Sequence, residues 1–134
     1  MAAINPTVGD LDGNSAEVVR AVAAAAQEGA HLIVFPEMVL TGYPVEDLAL
    51  RSSFRQASKK AIDALAIELA EQGHGDLVAI VGYLDEAPAG GPQNVAAVIH
   101  GGHVKARYIK THLPNFGVFD EYRNFVAGDS TLVV

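Results

Sequence analysis

Apolar residues recur every three to four positions early in the chain, which is the periodicity of an amphipathic helix. The valines and alanines at 18–26 follow this spacing, and Gly29 is a natural stop after them. Asn14 and Glu17 stand three residues apart and resemble a capping box, with Asn14 in the N-cap position. The pattern therefore predicts a helix that begins at Asn14 and ends before Gly29.

A second helical pattern lies in the middle of the chain. Ser52 or Ser53 is expected to cap its N-terminus, and Gly73 is expected to end it. A shorter segment at 46–50 predicts one helical turn ahead of it. The apolar stripe of the long helix is predicted to consist of Phe54, Ala57, Ala61, Ile62, Leu65 and Leu69.

Apolar runs of strand length alternate with these helices. Residues 31–35 and 77–84 are continuous runs, which is typical of buried strands that are covered on both faces. Residues 94–100 and 103–109 flank Gly101-Gly102, and a Gly-Gly pair supplies the positive φ angles of a tight hairpin turn. The sequence therefore predicts two buried strands followed by a strand hairpin.

Short apolar segments at the two ends of the sequence complete the pattern. Residues 2–4 are predicted to be the end of a strand, and residues 131–134 the beginning of another. Residues 113–129 contain proline, asparagine and several glycines and are expected to be irregular. Strands alternate with helices along the chain, which indicates an α/β layered domain with a largely buried sheet.

Composition and charge narrow the possible functions. The 134 residues carry a net charge of −7, so no basic face is available for a nucleic-acid backbone. No apolar stretch approaches a membrane span and no signal-peptide pattern opens the chain, so we expect a cytoplasmic protein. The sequence has no cysteine, no histidine pair at metal-ligand spacing and no glycine-rich phosphate loop. We therefore expect neither a metal nor a cofactor in this segment.

Glu37 is the first candidate for chemistry. The F-P-E sequence at 35–37 follows a predicted buried strand, and open α/β sheets place ligands just beyond such strand ends. Partial desolvation beside apolar neighbours would raise the proton affinity of the carboxylate, as a general base near neutral pH requires. Position alone leaves the alternative open, in which Glu37 caps a turn or faces water.

Lys110 is the second candidate, because it follows another predicted strand and could reach the same rim as Glu37 from a neighbouring strand end. An ammonium group there could stabilise a developing oxyanion, whereas a solvated lysine is the commoner alternative. The irregular stretch at 115–123 is the third candidate, since long loops in compact domains are often functional. Its acids could orient Lys110 or could simply lie in water.

Together these segments resemble the nitrilase superfamily of carbon–nitrogen hydrolases, and within it the glutaminase domains of glutamine-dependent NAD(+) synthetases. The matching segments are N-P-T-V-G-D at 5–10, F-P-E at 35–37, L-T-G-Y-P-V-E-D-L at 40–48 and L-P-N-F-G-V-F-D-E at 113–121. The last two are the most specific to the NAD synthetase branch. The resemblance implies the N-terminal half of a nitrilase-type α-β-β-α sandwich.

The resemblance also implies roles for individual residues. Glu37 corresponds to the general base, Lys110 to the oxyanion stabiliser and Glu121 to a supporting acid. Tyr43 and Phe116 match aromatic positions that line a glutamine pocket. In the family a cysteine thiol attacks the glutamine amide, ammonia leaves, and water hydrolyses the thioester. A separate synthetase domain, which uses ATP and Mg, then transfers the ammonia to nicotinic acid adenine dinucleotide.

The absence of cysteine is the main departure from the family pattern. We therefore expect residues 1–134 to be a partial carbon–nitrogen hydrolase domain, truncated before its nucleophile and inactive alone. Its expected partners are glutamine, the missing C-terminal synthetase domain and further copies in a homo-oligomer of the full protein, with no nucleic acid or membrane. Two alternatives stay open: another nitrilase relative that acts on a nitrile, carbamoyl amine or simple amide, and a non-catalytic association module.

Overall fold

A computed structural model of the chain, which describes residues 1–116 and 120–133, contains one four-stranded sheet with two long helices against one face. The elements follow in the order α1 (Leu11–Gln27), β1 (Leu32–Val34), α2 (Asp47–Leu50), α3 (Ser52–Glu71), β2 (Val78–Glu86), β3 (Pro92–His100), β4 (His103–Ile109) and α4 (Glu121–Asn124). The strand order is β1-β2-β3-β4, in which β1 pairs with β2 in parallel and the other pairs are antiparallel. None of the helices in the described residues is both long and apolar enough to traverse a bilayer.

Helix α1 begins before the position that the capping pattern predicted. Its N-cap is Asp10, whose side chain accepts a hydrogen bond from the Gly13 N–H at 2.9 Å. Asn14 lies inside the helix and is buried, and its side chain bonds to the backbone of Thr7 and Leu40. The prediction of Asn14 as the cap is wrong, because Asp10 satisfies the exposed N–H and Asn14 makes tertiary contacts instead.

Helix α3 is confirmed, but its buried face differs from the predicted stripe. Arg51 occupies the N-cap position and its side chain makes no cap hydrogen bond, so the prediction of a serine cap is wrong. The guanidinium of Arg55 donates to Glu86 at 2.6 Å and to the carbonyl oxygen of Ala49 at 2.9 Å, which draws that side of the helix inward. The buried residues are therefore Arg55, Ser58, Ile62, Leu65, Ala66 and Leu69.

The two faces of the sheet are covered unequally. Alternate residues of β2 and β3 pack against α1 and α3, and these are Ala79, Val81, Tyr83, Val95, Ala97 and Ile99. On the opposite face Leu32 is exposed, and Ile80, Ala96 and Tyr108 are partly exposed. The prediction that β1 is covered on both faces is therefore wrong for Leu32.

The predicted hairpin is confirmed, but the strands predicted at the two ends of the sequence are not. Gly101 and Gly102 join β3 to β4 with φ angles of 59° and 76°, a region that side chains disfavour. Ala2 donates one backbone hydrogen bond to Val34 at 3.0 Å, but residues 1–6 do not form a strand. Residues 131–133 are not in a strand either, and Val134 lies outside the described residues.

The turn after β1 crosses over β2 at Gly82. The Leu40 N–H donates to the Gly82 carbonyl oxygen at 3.1 Å. A Cβ atom on Gly82 would collide with the backbone nitrogen of Met38 and would lie 2.7 Å from the carbonyl oxygen of Pro36. Glycine therefore lets two backbones touch, and a second apolar cluster, Met38, Val45, Ala49, Leu84, Leu113 and Phe125, packs around the crossing.

A buried polar network holds β2 to α3 on the helix-covered face. The Tyr83 hydroxyl donates to Asp85 Oδ2 at 2.5 Å, the Glu86 N–H donates to Oδ1 at 2.7 Å, and Lys59 Nζ lies 3.1 Å from Oδ1. Burial by itself would raise the pKa of Asp85, but these donors outweigh burial and hold that pKa below its ordinary value. Folding therefore stabilises the charged form of Asp85.

This network makes stability sensitive to acid. When the folded pKa is depressed, the stabilisation is present above the unfolded pKa and is lost as the pH falls through the folded value. We expect the wild type to lose more unfolding free energy than Asp85→Asn between about pH 6 and pH 3, measured by urea denaturation at each pH. The exposed Asp76 makes a matched control, and Asp76→Asn should keep the wild-type slope. Equal slopes for wild type and Asp85→Asn would contradict the assignment.

The crossing at Gly82 predicts a second stability effect. Gly82→Ala should lower the free energy of unfolding by about 1–3 kcal/mol, because the methyl group must push the backbone near Met38 away from β2. Gly75→Ala is the control, since a Cβ there meets only ordinary contacts at 3.5 Å or more. Urea denaturation of both variants measures the difference. The prediction fails if Gly82→Ala is as stable as Gly75→Ala.

Candidate active site

Glu37 lies in the turn that crosses β2, and the backbone of this turn is sharply bent. Met38, the next residue, is wholly buried and has a φ of 54°, a left-handed value that is rare for residues other than glycine. The Thr41 N–H donates to the Met38 carbonyl oxygen at 3.1 Å and closes the turn. The buried Met38 thus fixes the backbone beside Glu37, while the Glu37 side chain itself is 47% exposed.

Lys110 follows β4, and its backbone is held on both sides. Its N–H donates to the Asn94 carbonyl oxygen at 2.9 Å, and its own carbonyl oxygen accepts from the Gly128 N–H at 2.9 Å. The ammonium nitrogen Nζ lies 2.9 Å from Glu37 Oε1. Glu37 and Lys110 therefore meet, although β1 and β4 are the two edges of the sheet and not neighbouring strands as the sequence predicted.

Glu121 supplies a second carboxylate to the same ammonium group. It is the first residue of α4 and is only 3% exposed, and its two oxygens lie 3.1 Å (Oε1) and 2.9 Å (Oε2) from Lys110 Nζ. Oε1 accepts a hydrogen bond from Lys110, whereas Oε2 has no hydrogen-bond donor among the described residues and contacts Nζ only as an ion pair. Lys110 thus bridges one half-exposed and one buried carboxylate.

The charge state of Lys110 follows from this position. Burial lowers the pKa of the ammonium group, but the hydrogen bonds and charges of Glu121 and Glu37 outweigh burial and raise the pKa above its ordinary value. Lys110 therefore stays cationic at neutral pH. An ammonium group has three donors, and two of them bond to the carboxylates, so among the described residues one donor remains for a ligand oxygen.

Asn94 belongs to this cluster and was not among the residues predicted from the sequence. Its side chain is 5% exposed, and its Nδ2 donates to Glu37 Oε1 at 2.5 Å. A signal existed in the sequence, because a fully buried asparagine within an apolar strand is unusual and must find a polar partner. The strand pattern could not show which face of β3 this residue occupies or that Glu37 is the partner.

The sequence as a whole matches a known family. A sequence model of the family described as carbon-nitrogen hydrolase matches residues 1–133. The chain belongs to the carbon–nitrogen hydrolase family. This confirms the family predicted from the F-P-E segment and its companions.

Curated relatives of this carbon–nitrogen hydrolase include several glutamine-dependent NAD(+) synthetases. The protein of Thermotoga maritima is 40% identical over 134 residues, which is all of this chain and 22% of the relative. The protein of Aquifex aeolicus is 37% identical over 136 residues, which is all of this chain and 23% of the relative. The chain thus spans somewhat more than a fifth of the length of the relatives that it matches.

Solved structures confirm the α/β fold of this carbon–nitrogen hydrolase. Glutamine-dependent NAD+ synthetase from Acinetobacter baumannii, in complex with ADP, superposes with a TM-score of 0.87 at 35% identity, over all of this chain and 24% of that one. An amidase from Nesterenkonia sp. superposes with a TM-score of 0.69 at 23% identity, over 94% of this chain and 46% of that one. The second likeness concerns the fold alone.

Of the two aromatic residues predicted to line a glutamine pocket, Tyr43 lines a cavity beside Glu121 and Phe116 does not. The Tyr43 hydroxyl donates to Glu121 Oε1 at 3.1 Å. Burial, this hydrogen bond and the nearby carboxylates raise the pKa of Tyr43 to about 12, so the phenol remains a donor at neutral pH. Phe116 is 72% exposed and does not line the cavities next to Glu37 and Tyr43, and residues 117–119 lie outside the described part of the chain.

Two cavities adjoin the cluster. One, of about 300 Å³, is lined by Glu37, Asn94, Tyr108 and Lys110 together with apolar residues of β1 and β2. The other, of about 310 Å³, lies beside Tyr43 and Glu121 and is lined by three further acids, Glu46, Asp47 and Asp120, and by one base, Arg123. Within residues 1–116 and 120–133, no group of three or more histidine and acidic side chains is placed to hold a metal ion.

Lys110 should contribute to stability as well as to the site. We expect Lys110→Met to lower the free energy of unfolding by about 3 kcal/mol, because the buried Glu121 would keep a charge without its cation. The double variant Lys110→Met/Glu121→Gln should recover most of this loss, since the buried charge is then removed. Lys105→Met, at an exposed lysine of β4, is the control and should resemble the wild type. Urea denaturation measures all four proteins, and a double variant no more stable than Lys110→Met would contradict the ion-pair account.

Proposed function

We propose that this chain is part of the glutamine-hydrolysing amidase portion of a glutamine-dependent NAD(+) synthetase. In that reaction the amidase supplies ammonia for the amidation of nicotinic acid adenine dinucleotide, in a separate domain that uses ATP and Mg. The observation that carries the proposal is the ammonium group of Lys110 between Glu37 and Glu121. The 40% identity to the Thermotoga maritima glutamine-dependent NAD(+) synthetase supports it.

Glu37 is proposed as the general base and general acid. The carboxylate takes the proton of a thiol while sulfur bonds to the amide carbon of glutamine. The carbon–nitrogen bond then breaks, and Glu37 returns the proton to the departing nitrogen, so ammonia leaves. Water attacks the thioester next, gives a proton to Glu37 and bonds to carbon, and that proton returns to sulfur as glutamate forms.

Lys110 is proposed to stabilise the negative oxygen that forms during each attack. Its remaining N–H is the donor for this oxygen, and a preorganised donor costs no reorganisation when the charge appears. Glu121 is the supporting acid, because it is the second carboxylate that bonds to the ammonium group and keeps it in place. The buried position of Glu121 protects this pair from the competition of water.

The nucleophilic thiol is proposed to come from outside residues 1–134, since these contain no cysteine. Residues 1–134 would then be a partial carbon–nitrogen hydrolase domain that is inactive alone. We further propose that the complete protein is cytoplasmic and homo-oligomeric, and that this domain works with a C-terminal synthetase domain.

Glutamine is proposed as the substrate in preference to a nitrile or a simple amide. The acidic cavity beside Tyr43 and Glu121 complements the α-ammonium group that glutamine carries and those substrates lack. Tyr43 stays protonated and can donate to a substrate oxygen when its bond to Glu121 opens. Phe116 is proposed as an aromatic wall of the complete glutamine pocket on the resemblance alone, since it does not line this cavity among the described residues.

Ammonia release from glutamine by the complete gene product tests this function. Glu37→Gln and Lys110→Met should each lower kcat/KM by about 10²- to 10⁴-fold, because each removes a group that is proposed to act on the reacting atoms. Glu71→Gln, at an exposed glutamate of α3, is the matched control and should keep wild-type activity. Residues 1–134 alone should release no ammonia above background.

Four outcomes would contradict the proposal. Wild-type turnover by Glu37→Gln would show that Glu37 is not the general base. Turnover by residues 1–134 alone would show that the reaction needs no thiol from outside these residues. A higher kcat/KM for acetamide or a nitrile than for glutamine would favour the other nitrilase activities. Binding of a protein partner without any amide hydrolysis would favour an association module.

A further inference from the structure

The side chain of Asn94 contacts the carboxylate that is proposed as the base. It lies on β3, is almost completely buried, and directs its amide group at Glu37. A carboxylate accepts hydrogen bonds only, so the amide nitrogen and not the amide oxygen must face it. Asn94 Nδ2 therefore donates a hydrogen bond to Glu37 Oε1, and the acceptor of this bond is a charged group.

The two donors on Glu37 share one oxygen. Asn94 Nδ2 and Lys110 Nζ both bond to Oε1, at 2.5 and 2.9 Å. Among the residues that the structure describes, none donates a hydrogen bond to Oε2. Because Glu37 is half-exposed and lines the cavity of about 300 Å³, its second oxygen remains accessible to a reacting group.

We propose that Asn94 is a positioning residue for Glu37, an inference that rests on the proposed function. It anchors Oε1 together with Lys110, so that Oε2 is the oxygen that takes the thiol proton and later returns it. Asn94 does not touch the substrate in this account. It acts by fixing the rotation of the carboxylate.

The backbone of Asn94 strengthens this assignment. Its carbonyl oxygen accepts the Lys110 N–H at 2.9 Å, which continues the pairing of β3 and β4 by one residue beyond Val95 and Ile109. One residue therefore sets the positions of both the carboxylate and the ammonium group. An apolar residue at position 94 would keep the backbone bond and remove only the side-chain donor.

Asn94→Leu separates the side-chain role from the backbone role. In the complete gene product we expect kcat for glutamine hydrolysis to fall roughly 10- to 100-fold, as for the loss of one hydrogen bond to a charged group, with little change in KM. The acidic limb of the pH profile of kcat/KM should move to higher pH, because the charged carboxylate has lost a donor. Asn94→Asp, which has the same shape, should move that limb further, since it places a second negative charge beside Glu37.

Gln93→Leu is the matched control, because it also replaces a buried amide on β3, but at a position that pairs with Asp85 and does not contact Glu37. It should keep the wild-type pH profile. If the role of Asn94 is purely structural, Asn94→Leu will lower activity without moving the acidic limb of the pH profile of kcat/KM. This result would overturn the proposal. So would a wild-type kcat in Asn94→Leu.

Glu37→Gln, measured in parallel, distinguishes this failure from failure of the proposed function. If Glu37→Gln is inactive and the acidic limb of the pH profile of kcat/KM stays at its wild-type position in both Asn94 variants, only the role of Asn94 is rejected. An active Glu37→Gln rejects the base itself. If Asn94→Leu does not fold, Asn94→Ala replaces it, because this variant also removes the side-chain donor and adds no charge beside Glu37.

Discussion

The pairing of one ammonium group with two carboxylates is the interaction on which this site depends. Glu37, Lys110 and Glu121 come from three separate segments, and each would be poorly placed without the others. Glu121 is buried to 3% exposure and needs a counter-charge, since an unpaired buried carboxylate is costly. Lys110 supplies that charge and, with its bond to Glu37, fixes the distance between the end of β4 and the turn after β1.

That pairing is possible only because the chain crosses β2 at Gly82. β1 and β4 form opposite edges of the sheet, so residues that merely follow these strands would be separated by two strands. The turn after β1 instead passes directly over the backbone of β2 and carries Glu37 towards β3. The unusual φ of Met38 belongs to the same turn, and the complete burial of its side chain holds the backbone in this conformation.

The sequence predicted the local features of this molecule better than the relations between them. Both long helices, the inner strands and the hairpin follow from short-range patterns, and the structure contains them. Glu37 and Lys110 could be selected as polar residues that follow predicted strands, but their convergence arises from the crossing at Gly82, which no periodicity reveals. Asn94 was overlooked because a strand pattern reports that a residue is inside but not what it touches. Asn14 was misassigned as a helix cap for the same reason, since its partners are tertiary.

A comparison of two carboxylates shows why the same chemical group serves structure in one place and is suited to catalysis in another. Asp85 has both oxygens occupied, one by Tyr83 and the other by Lys59 and the Glu86 N–H, and it lies beside α3. Each oxygen of Asp85 therefore accepts from at least one donor, which favours the charged form of this carboxylate. Glu37 has one oxygen occupied by two donors and the other beside a cavity. A carboxylate that is held at one oxygen and free of protein donors at the other can exchange a proton without losing its position, and this supports the proposed role of Glu37 as a general base.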